Sequence, residues 1–310
     1  MKKLSLIVDP RIPEPARRLE HLVQRLLQSG RPIAIKAIHE GLVQVDRRTA
    51  TRPQLIVEIG SEVTAEPPQP VVSIKREASR SEPVQFVYED EHLVVIRKPA
   101  GLLTVPTPHR ERHTVISQVT QQLRRRDQSA EAYCVHRLDR GVSGLLVFVK
   151  SLEVAELMRN QFAERKPKRR YVAFARGSVS QLQGTIQSYL ATDAALNQHS
   201  TDESSGKLAI THFRVLRRWP ELTQVEVHLE TGRRNQIRVH FAEMGHPVLG
   251  DERYGKLTGM HRLWPFKRIA LHAESLGFTH PVTGRELEFN AGLPREFLQL
   301  LNRLGPPEIP

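Results

Sequence analysis

One acid in this chain stands where it could do chemistry. Asp139 lies between Arg137 and Arg140, in the run His136-Arg137-Leu138-Asp139-Arg140-Gly141-Val142-Ser143-Gly144 that leads into the apolar stretch 145–149. Two glycines just ahead of a buried strand predict a tight loop held by the core. Such a loop presents one carboxylate on rigid scaffolding, as a nucleophile or base requires. Taken alone, an aspartate flanked by two arginines is the ordinary mark of a structural ion pair. Tyr171 offers an aromatic face and a hydroxyl, although a lone strand tyrosine is usually core packing. Just before it, Arg165-Lys166-Pro167-Lys168-Arg169-Arg170 places five cations in six residues. A run of this kind is commonly a solvated face; beside a reactive residue it makes a phosphate-contacting edge.

Other chemistries lack their residues. The single cysteine, Cys134, excludes an internal disulfide and a multi-cysteine zinc site. The 14 histidines show no metal-ligand spacing beside cysteines or carboxylates, so no metal is expected. No phosphate-binding glycine loop or dinucleotide fingerprint is present. No second acid stands out beside Asp139, which argues against a hydrolase of glycosidic bonds working with paired carboxylates.

The elements that must carry these residues are legible in outline. Residues 145–149 read as a continuous apolar, buried strand. Val154, Leu157, Met158 and Phe162 predict an amphipathic helix capped by Ser151, with Pro167 beyond its end. A strand over 171–175 follows. Val225, Val227 and Leu229 alternate with Gln224, Glu226 and His228, predicting a strand with one wet face. Residues 236–244 predict a helix closed by Gly245. Upstream, 86–88 and 93–96 predict a hairpin turning at Glu89-Asp90-Glu91. Strands and helices do not alternate strictly, so the class is α+β rather than a doubly wound sheet.

Near the N-terminus, Leu19, Leu22, Val23, Leu26 and Leu27 have helical spacing that stops at Gly30, and 33–40 predicts a second short helix closed by Gly41. Alternation at Val43 and Val45, and again at 56–59, predicts short strands. The proline-rich stretch 65–83 reads as an extended linker. The expected domains are therefore 1–64, a linker 65–83, and 84–310.

Composition narrows the partners. The chain has 310 residues, 39% hydrophobic and 26% charged, with 46 Lys and Arg against 34 Asp and Glu, a net charge of +12. A surface this basic attracts polyanions, RNA or DNA first. No apolar stretch approaches the ~20 residues of a spanning helix. The opening Met-Lys-Lys and apolar 4–8 are too short for a signal peptide before Asp9 and Pro10. A cytoplasmic protein without membrane association is expected.

The segment 136–150 closely resembles the catalytic motif of the RluA-type pseudouridine synthases, and further motifs follow in that family's order. Tyr88-Glu89-Asp90 with Lys98-Pro99-Ala100-Gly101 is similar to the first, and Arg169-Arg170-Tyr171 with Ala173 to the tyrosine motif. The stretch from Leu229 to His240, with Gly245-His246-Pro247, Gly250-Asp251 and Tyr254-Gly255, is similar to the third. His272 and His280-Pro281-Val282-Thr283-Gly284 complete the set, which spans about residues 84 to 295. The stretch from Arg18 to Val63 resembles the small RNA-binding domain named after ribosomal small-subunit protein four. There Arg31-Pro32 stand in place of the usual Ser-Arg. A bare packing or oligomerisation module is the alternative for this stretch.

The resemblance implies a pseudouridine synthase fold with a central mixed, largely antiparallel sheet, plus a small N-terminal α/β RNA-binding module. It implies isomerisation of uridine to pseudouridine in RNA, without a cofactor. Asp139 is then the catalytic carboxylate, Arg238 the cation that keeps it ionised, and Tyr171 the ring that stacks on the target base. Arg137 becomes the wedge filling the space of a flipped base. Arg165, Lys166, Lys168, Arg169, Arg170 and Arg233 become RNA contacts. The N-terminal module favours ribosomal RNA of the large subunit over transfer RNA, with a monomeric enzyme as the acting species. A non-catalytic RNA-binding protein that kept the fold is the rival reading. Four positions depart from the family's pattern: Val142 for Thr, Arg169 for Lys, and Arg234-Asn235 for a small hydroxyl residue and His.

Overall fold

The computed structural model describes residues 4–67, 83–107, 111–194, 197–255 and 262–308. The chain divides into two compact units, Met1–Ser79 and Arg80–Pro310. Most of the expected linker, 68–82, lies outside the described residues.

In the first unit, β1 (Leu4–Ile7), α1 (Leu19–Leu27), α2 (Arg31–His39), β2 (Val43–Val45), β3 (Arg48–Thr49) and β4 (Glu62–Ala65) follow in order. The strands pair as β1-β4-β2-β3, all antiparallel. Leu19, Leu22 and Val23 of α1 pack with Ala37 and Ile38 of α2 against Val43 and Val63. The apolar run at 4–7, judged above only as a failed leader, is a strand. The strand expected at 56–59 is absent: Ser61 N–H closes a turn onto the Glu58 carbonyl, and Gly60 takes φ +86°. Alternating polarity misled there because Val57 alone is buried, while Ile56 and Ile59 are exposed.

The second unit contains β5 (Gln85–Glu89), β6 (Leu93–Lys98), α3 (Val115–Leu123), β7 (Tyr133–Cys134), β8 (Ser143–Val149), α4 (Leu152–Ala163), β9 (Lys168–Arg176), β10 (Gln183–Thr192), β11 (Gln198–Thr201), β12 (Lys207–Trp219), β13 (Leu222–Leu229), α5 (Gln236–Glu243), β14 (Leu271–Thr279), β15 (Glu286–Asn290) and α6 (Arg295–Arg303). Among the described residues one sheet runs β11-β10-β12-β13-β9-β14-β8-β6-β5, with β15 on β14 and β7 on β8. Its β14–β8 pairing is parallel and its other strand pairings are antiparallel, the mixed and largely antiparallel sheet expected.

The apolar run of β8 has a direct cause. Leu146 and Phe148 face a core shared with α3, α5 and α6, whereas Leu145, Val147 and Val149 face a second core under α4. A strand buried on both faces cannot alternate, and each such side chain contributes about 1.5–3 kcal/mol. Gly144 lets β8 approach β14: a Cβ there would stand 2.2 Å from the Ala273 carbonyl oxygen, and its φ is +126°. Ser151 caps α4 by accepting from Val154 N–H, as expected. Leu157 of α4 is exposed, so the apolar face of that helix is narrower than its sequence suggests.

The wet face expected for β13 is also corrected. Gln224 and Glu226 are buried, and Glu226 is enclosed by Arg170 at 3.3 Å, Arg214 at 3.0 Å and His228 at 3.2 Å. Cross-strand cations replace solvent there. Helices α3 and α6 were not foreseen; α3 starts at a reciprocal Thr114–Ser117 capping box.

Candidate active site

Asp139 opens the turn between β7 and β8, where Val142 N–H donates to the Asp139 carbonyl at 3.1 Å. The turn is held residue by residue. Thr104 Oγ1 donates to the Leu138 carbonyl at 2.7 Å and accepts from Leu138 N–H at 3.2 Å. Gly101 N–H donates to the Arg140 carbonyl at 2.7 Å, and Ile269 N–H to the Gly141 carbonyl at 3.3 Å. Beneath it lies Lys98, fully buried, whose ammonium donates to the carbonyls of Val142 at 2.6 Å, Pro99 at 3.0 Å and Arg140 at 3.3 Å. All three of its protons are thereby placed. Burial, then the charge of Arg268, push Lys98 down to about 7, against the opposing pull of Asp139.

The Asp139 carboxylate reaches into a cavity of about 500 Å³. Its Oδ2 accepts from Arg238 Nη1 at 3.0 Å and from Asn235 Nδ2 at 2.6 Å. Arg238 extends from α5 and is itself held by Asp251, Nε to Oδ2 at 2.6 Å and Nη2 to Oδ1 at 2.8 Å. The Tyr254 ring lies 5.0 Å from its guanidinium carbon. Burial opposes the charge of Arg238, but the hydrogen bonds and charge of Asp251, and then those of Asp139, outweigh it and raise its pKa. The guanidinium thus meets the Asp139 carboxylate with its plane already fixed.

Tyr171 of β9 lines the same cavity and is 6% exposed. Burial raises its hydroxyl above the ordinary tyrosine range, with Arg169 opposing and Asp139 assisting. The phenol is therefore protonated at neutral pH. Asp139, Tyr171 and Arg238, 32 and 67 residues apart along the chain, thus line one cavity. His136 stacks on Phe162 with centroids 4.6 Å apart and accepts Val147 N–H on Nε2 at 3.1 Å. Burial, then Arg169, push it down to about 3, so its ring is neutral.

The sequence-nominated cations divide. Arg137, Arg165, Arg169 and Arg233 line the cavity. Arg165 pairs with Glu230 at 2.5 Å and Arg233 Nε donates to the Leu208 carbonyl at 2.9 Å. Lys166, Lys168 and Arg170 do not line it; Lys166 pairs with Glu164 at 2.6 Å. Arg170 alternates with Tyr171 along β9 and faces the other side of the sheet, against Glu226 and Glu274 at 3.3 and 3.1 Å. Strand period two, invisible in a run of charges, separates Arg169 from Arg170.

Sequence reasoning gave no role to Lys98, Thr104, Asn235, Asp251 or Tyr254. Four of them were within reach: Lys98, Asn235, Asp251 and Tyr254 all stand in the motifs quoted above, whereas Thr104 does not. Arg234, noted above only as a departure, lines the cavity as a further exposed cation.

The family described as RNA pseudouridylate synthase matches residues 92–243. The chain is 31% identical to the ribosomal large subunit pseudouridine synthase D of Haemophilus influenzae, over 98% of this chain and 96% of that protein. It is 34% identical to the protein of the same name from Pseudomonas aeruginosa, over 86% and 85%. Among solved structures, the human RNA pseudouridylate synthase domain containing 1 superposes with a TM-score of 0.57 at 25% identity, covering 74% of this chain and 90% of that one.

Proposed function

The chain belongs to the RNA pseudouridylate synthase family, and from that membership we propose that it isomerises uridines of large-subunit ribosomal RNA, with Asp139 as the reacting carboxylate. The observation that carries the reading is the convergence of Asp139, Tyr171 and Arg238 on one cavity rimmed by arginines. The reaction breaks the N-glycosidic bond, turns the uracil and rejoins it to the sugar through ring carbon five. It is redox-neutral and calls for no cofactor.

An ionised carboxylate serves this reaction either by adding to the uridine or by assisting loss of a ribose proton. Arg238, anchored by Asp251, supplies a fixed positive charge against the Asp139 carboxylate, available to charge that develops there during the reaction. The Tyr171 ring gives an extruded uracil a face to stack on, and its protonated hydroxyl is available to hand over a proton. Arg137 is exposed at the cavity rim, where a guanidinium can fill the gap left by the flipped base. Arg165, Arg169 and Arg233 contact backbone phosphates.

The large subunit as target rests on the names of the relatives above. Residues 4–67 act as a second RNA-binding module, in line with exposed Arg18, Arg25, Arg47, Arg48 and Arg52. Arg31, at the departure from the family's Ser-Arg, is engaged instead by buried Glu20 at 2.9 Å.

The test uses RNA tritiated at uridine carbon five, because rejoining at that carbon displaces the label. Wild-type protein is expected to release tritium from large-subunit ribosomal RNA, and Asp139→Asn to bind that RNA and release none. Release from transfer RNA alone overturns the ribosomal target. No release from either RNA by wild type overturns the enzyme reading, and free uracil marks a hydrolase.

A further inference from the structure

The two donors on Asp139 converge on one oxygen. Asn235 Nδ2 and Arg238 Nη1 both reach Oδ2, while Oδ1 accepts from no described residue. The Asp139 side chain is 21% exposed, so its free oxygen is open to the cavity. A carboxylate held this way is anchored through one atom and keeps the lone pairs of the other.

The orientation of Asn235 is dictated from outside. Gln198 N–H donates to Tyr254 Oη at 3.0 Å, so the tyrosine hydroxyl proton must point elsewhere. Its acceptor is Asn235 Oδ1, at 3.4 Å. The amide therefore turns its oxygen to Tyr254 and its nitrogen to Asp139, a chain of donors running from the β11 backbone to the carboxylate. Asn235 also forgoes its usual local use. It is the N-cap of α5, yet its side chain makes no capping hydrogen bond and its backbone sits at φ 53°, ψ 15°. An asparagine N-cap ordinarily closes onto its own helix, and the left-handed region suits asparagine better than most residues. Here residue type, backbone and side chain all favour the contact with Asp139 over the helix end.

We propose that Asn235 is a positioning residue for the isomerisation: with Arg238 it pins Oδ2 of Asp139, so that Oδ1 is the oxygen offered to the uridine. This inference rests on the reading of Asp139 as the reacting carboxylate.

Asn235→Asp is the discriminating variant. It is isosteric, tolerates the same backbone and still accepts from Tyr254, but it replaces a donor by a second carboxylate at hydrogen-bond distance from Oδ2. Two such acids titrate as a pair that retains one proton to higher pH. Tritium release by Asn235→Asp is expected to show its acid limb in kcat moved up by about one pH unit or more, with RNA KM unchanged and the thermal midpoint at neutral pH lowered, as a carboxyl that holds its proton more tightly in the folded chain requires. Asn235→Ala is expected to lower kcat by roughly tenfold or more at constant KM. A merely structural asparagine would leave the pH profile where it was. If Asp139→Asn is inactive while Asn235→Asp keeps the wild-type profile and rate, the inference fails and the reading of Asp139 stands. If Asp139→Asn releases tritium at the wild-type rate, both fail.

Discussion

Asp251 grips Arg238 with two parallel hydrogen bonds, Nε to Oδ2 at 2.6 Å and Nη2 to Oδ1 at 2.8 Å, and leaves only Nη1 to face Asp139. The Asp251 carboxylate is wholly inaccessible, and the Arg238 side chain is 10% exposed. The cation of the site is thus fixed by an acid outside the cavity lining, and Asp139 meets a guanidinium whose plane is already set.

Removing Asp251 leaves that buried guanidinium short of its anchor. Asp251→Ala is expected to destabilise the protein by about 3–5 kcal/mol, the usual cost of breaking a buried pair from one side. Asp251→Asn, which keeps an acceptor, is expected to lose less. Urea unfolding of both variants reads the difference, and equal stability of Asp251→Ala and wild type would contradict the geometry.

Tyr171 combines a ring and a protonated hydroxyl, and two substitutions separate them. Tyr171→Phe is expected to bind RNA with wild-type KM and to lose roughly 10²–10⁴-fold in kcat, the range for losing a proton-transfer group. Tyr171→Ala is expected to raise KM as well, through loss of stacking. Steady-state tritium release distinguishes the two. Full activity in Tyr171→Phe would restrict the residue to stacking.

Two histidines make stability depend on acid. His136 and His272 are both pushed down to about 3 by burial. Their geometry agrees: His136 Nε2 accepts a backbone N–H, and His272 Nδ1 lies 2.7 Å from Ser143 Oγ, which already accepts from Arg268. As pH falls through 6.5 the unfolded chain takes up protons that the folded chain refuses. Stability present above 6.5 is therefore lost progressively down to 3, by about 1.4 kcal/mol per pH unit for each histidine. Urea unfolding at pH 7.5, 6.0 and 5.0 measures the slope. His136→Gln, which retains an acceptor for Val147 N–H, is expected to remove one share of it.

Neighbouring arginines on β9 are expected to behave differently. Arg169→Gln and Arg137→Gln weaken RNA binding across sequences, each reducing the salt-dependence slope by about one. Arg170→Gln leaves that slope unchanged and lowers the melting temperature, because Glu226 and Glu274 lose a partner. Fluorescence titrations at several salt concentrations decide this, and an equal effect at Arg170 would restore it to the RNA surface.

Much of this protein is legible in one dimension where a local rule governs. The continuous apolar run 145–149 announced a strand buried on both faces, and Ser151 announced the start of α4. The ordered motifs pointed to Asp139, Tyr171 and Arg238 together. Local rules failed where the environment came from elsewhere in the chain. Glu226 is buried because Arg170 and Arg214 arrive from adjacent strands, and the alternation at 56–59 is a turn because only Val57 meets the core.

Residue types in a fixed order suffice to mark a chemistry: they identify the family and its reaction class, and they single out Asp139 as the carboxylate proposed to react. Which oxygen of Asp139 is free is set by the fold. That depends on hydrogen-bond directions passed from Gln198 through Tyr254 to Asn235, and on Asp251 turning Arg238. Those side chains come from different elements, and a hydrogen bond has a direction that a list of residues does not carry.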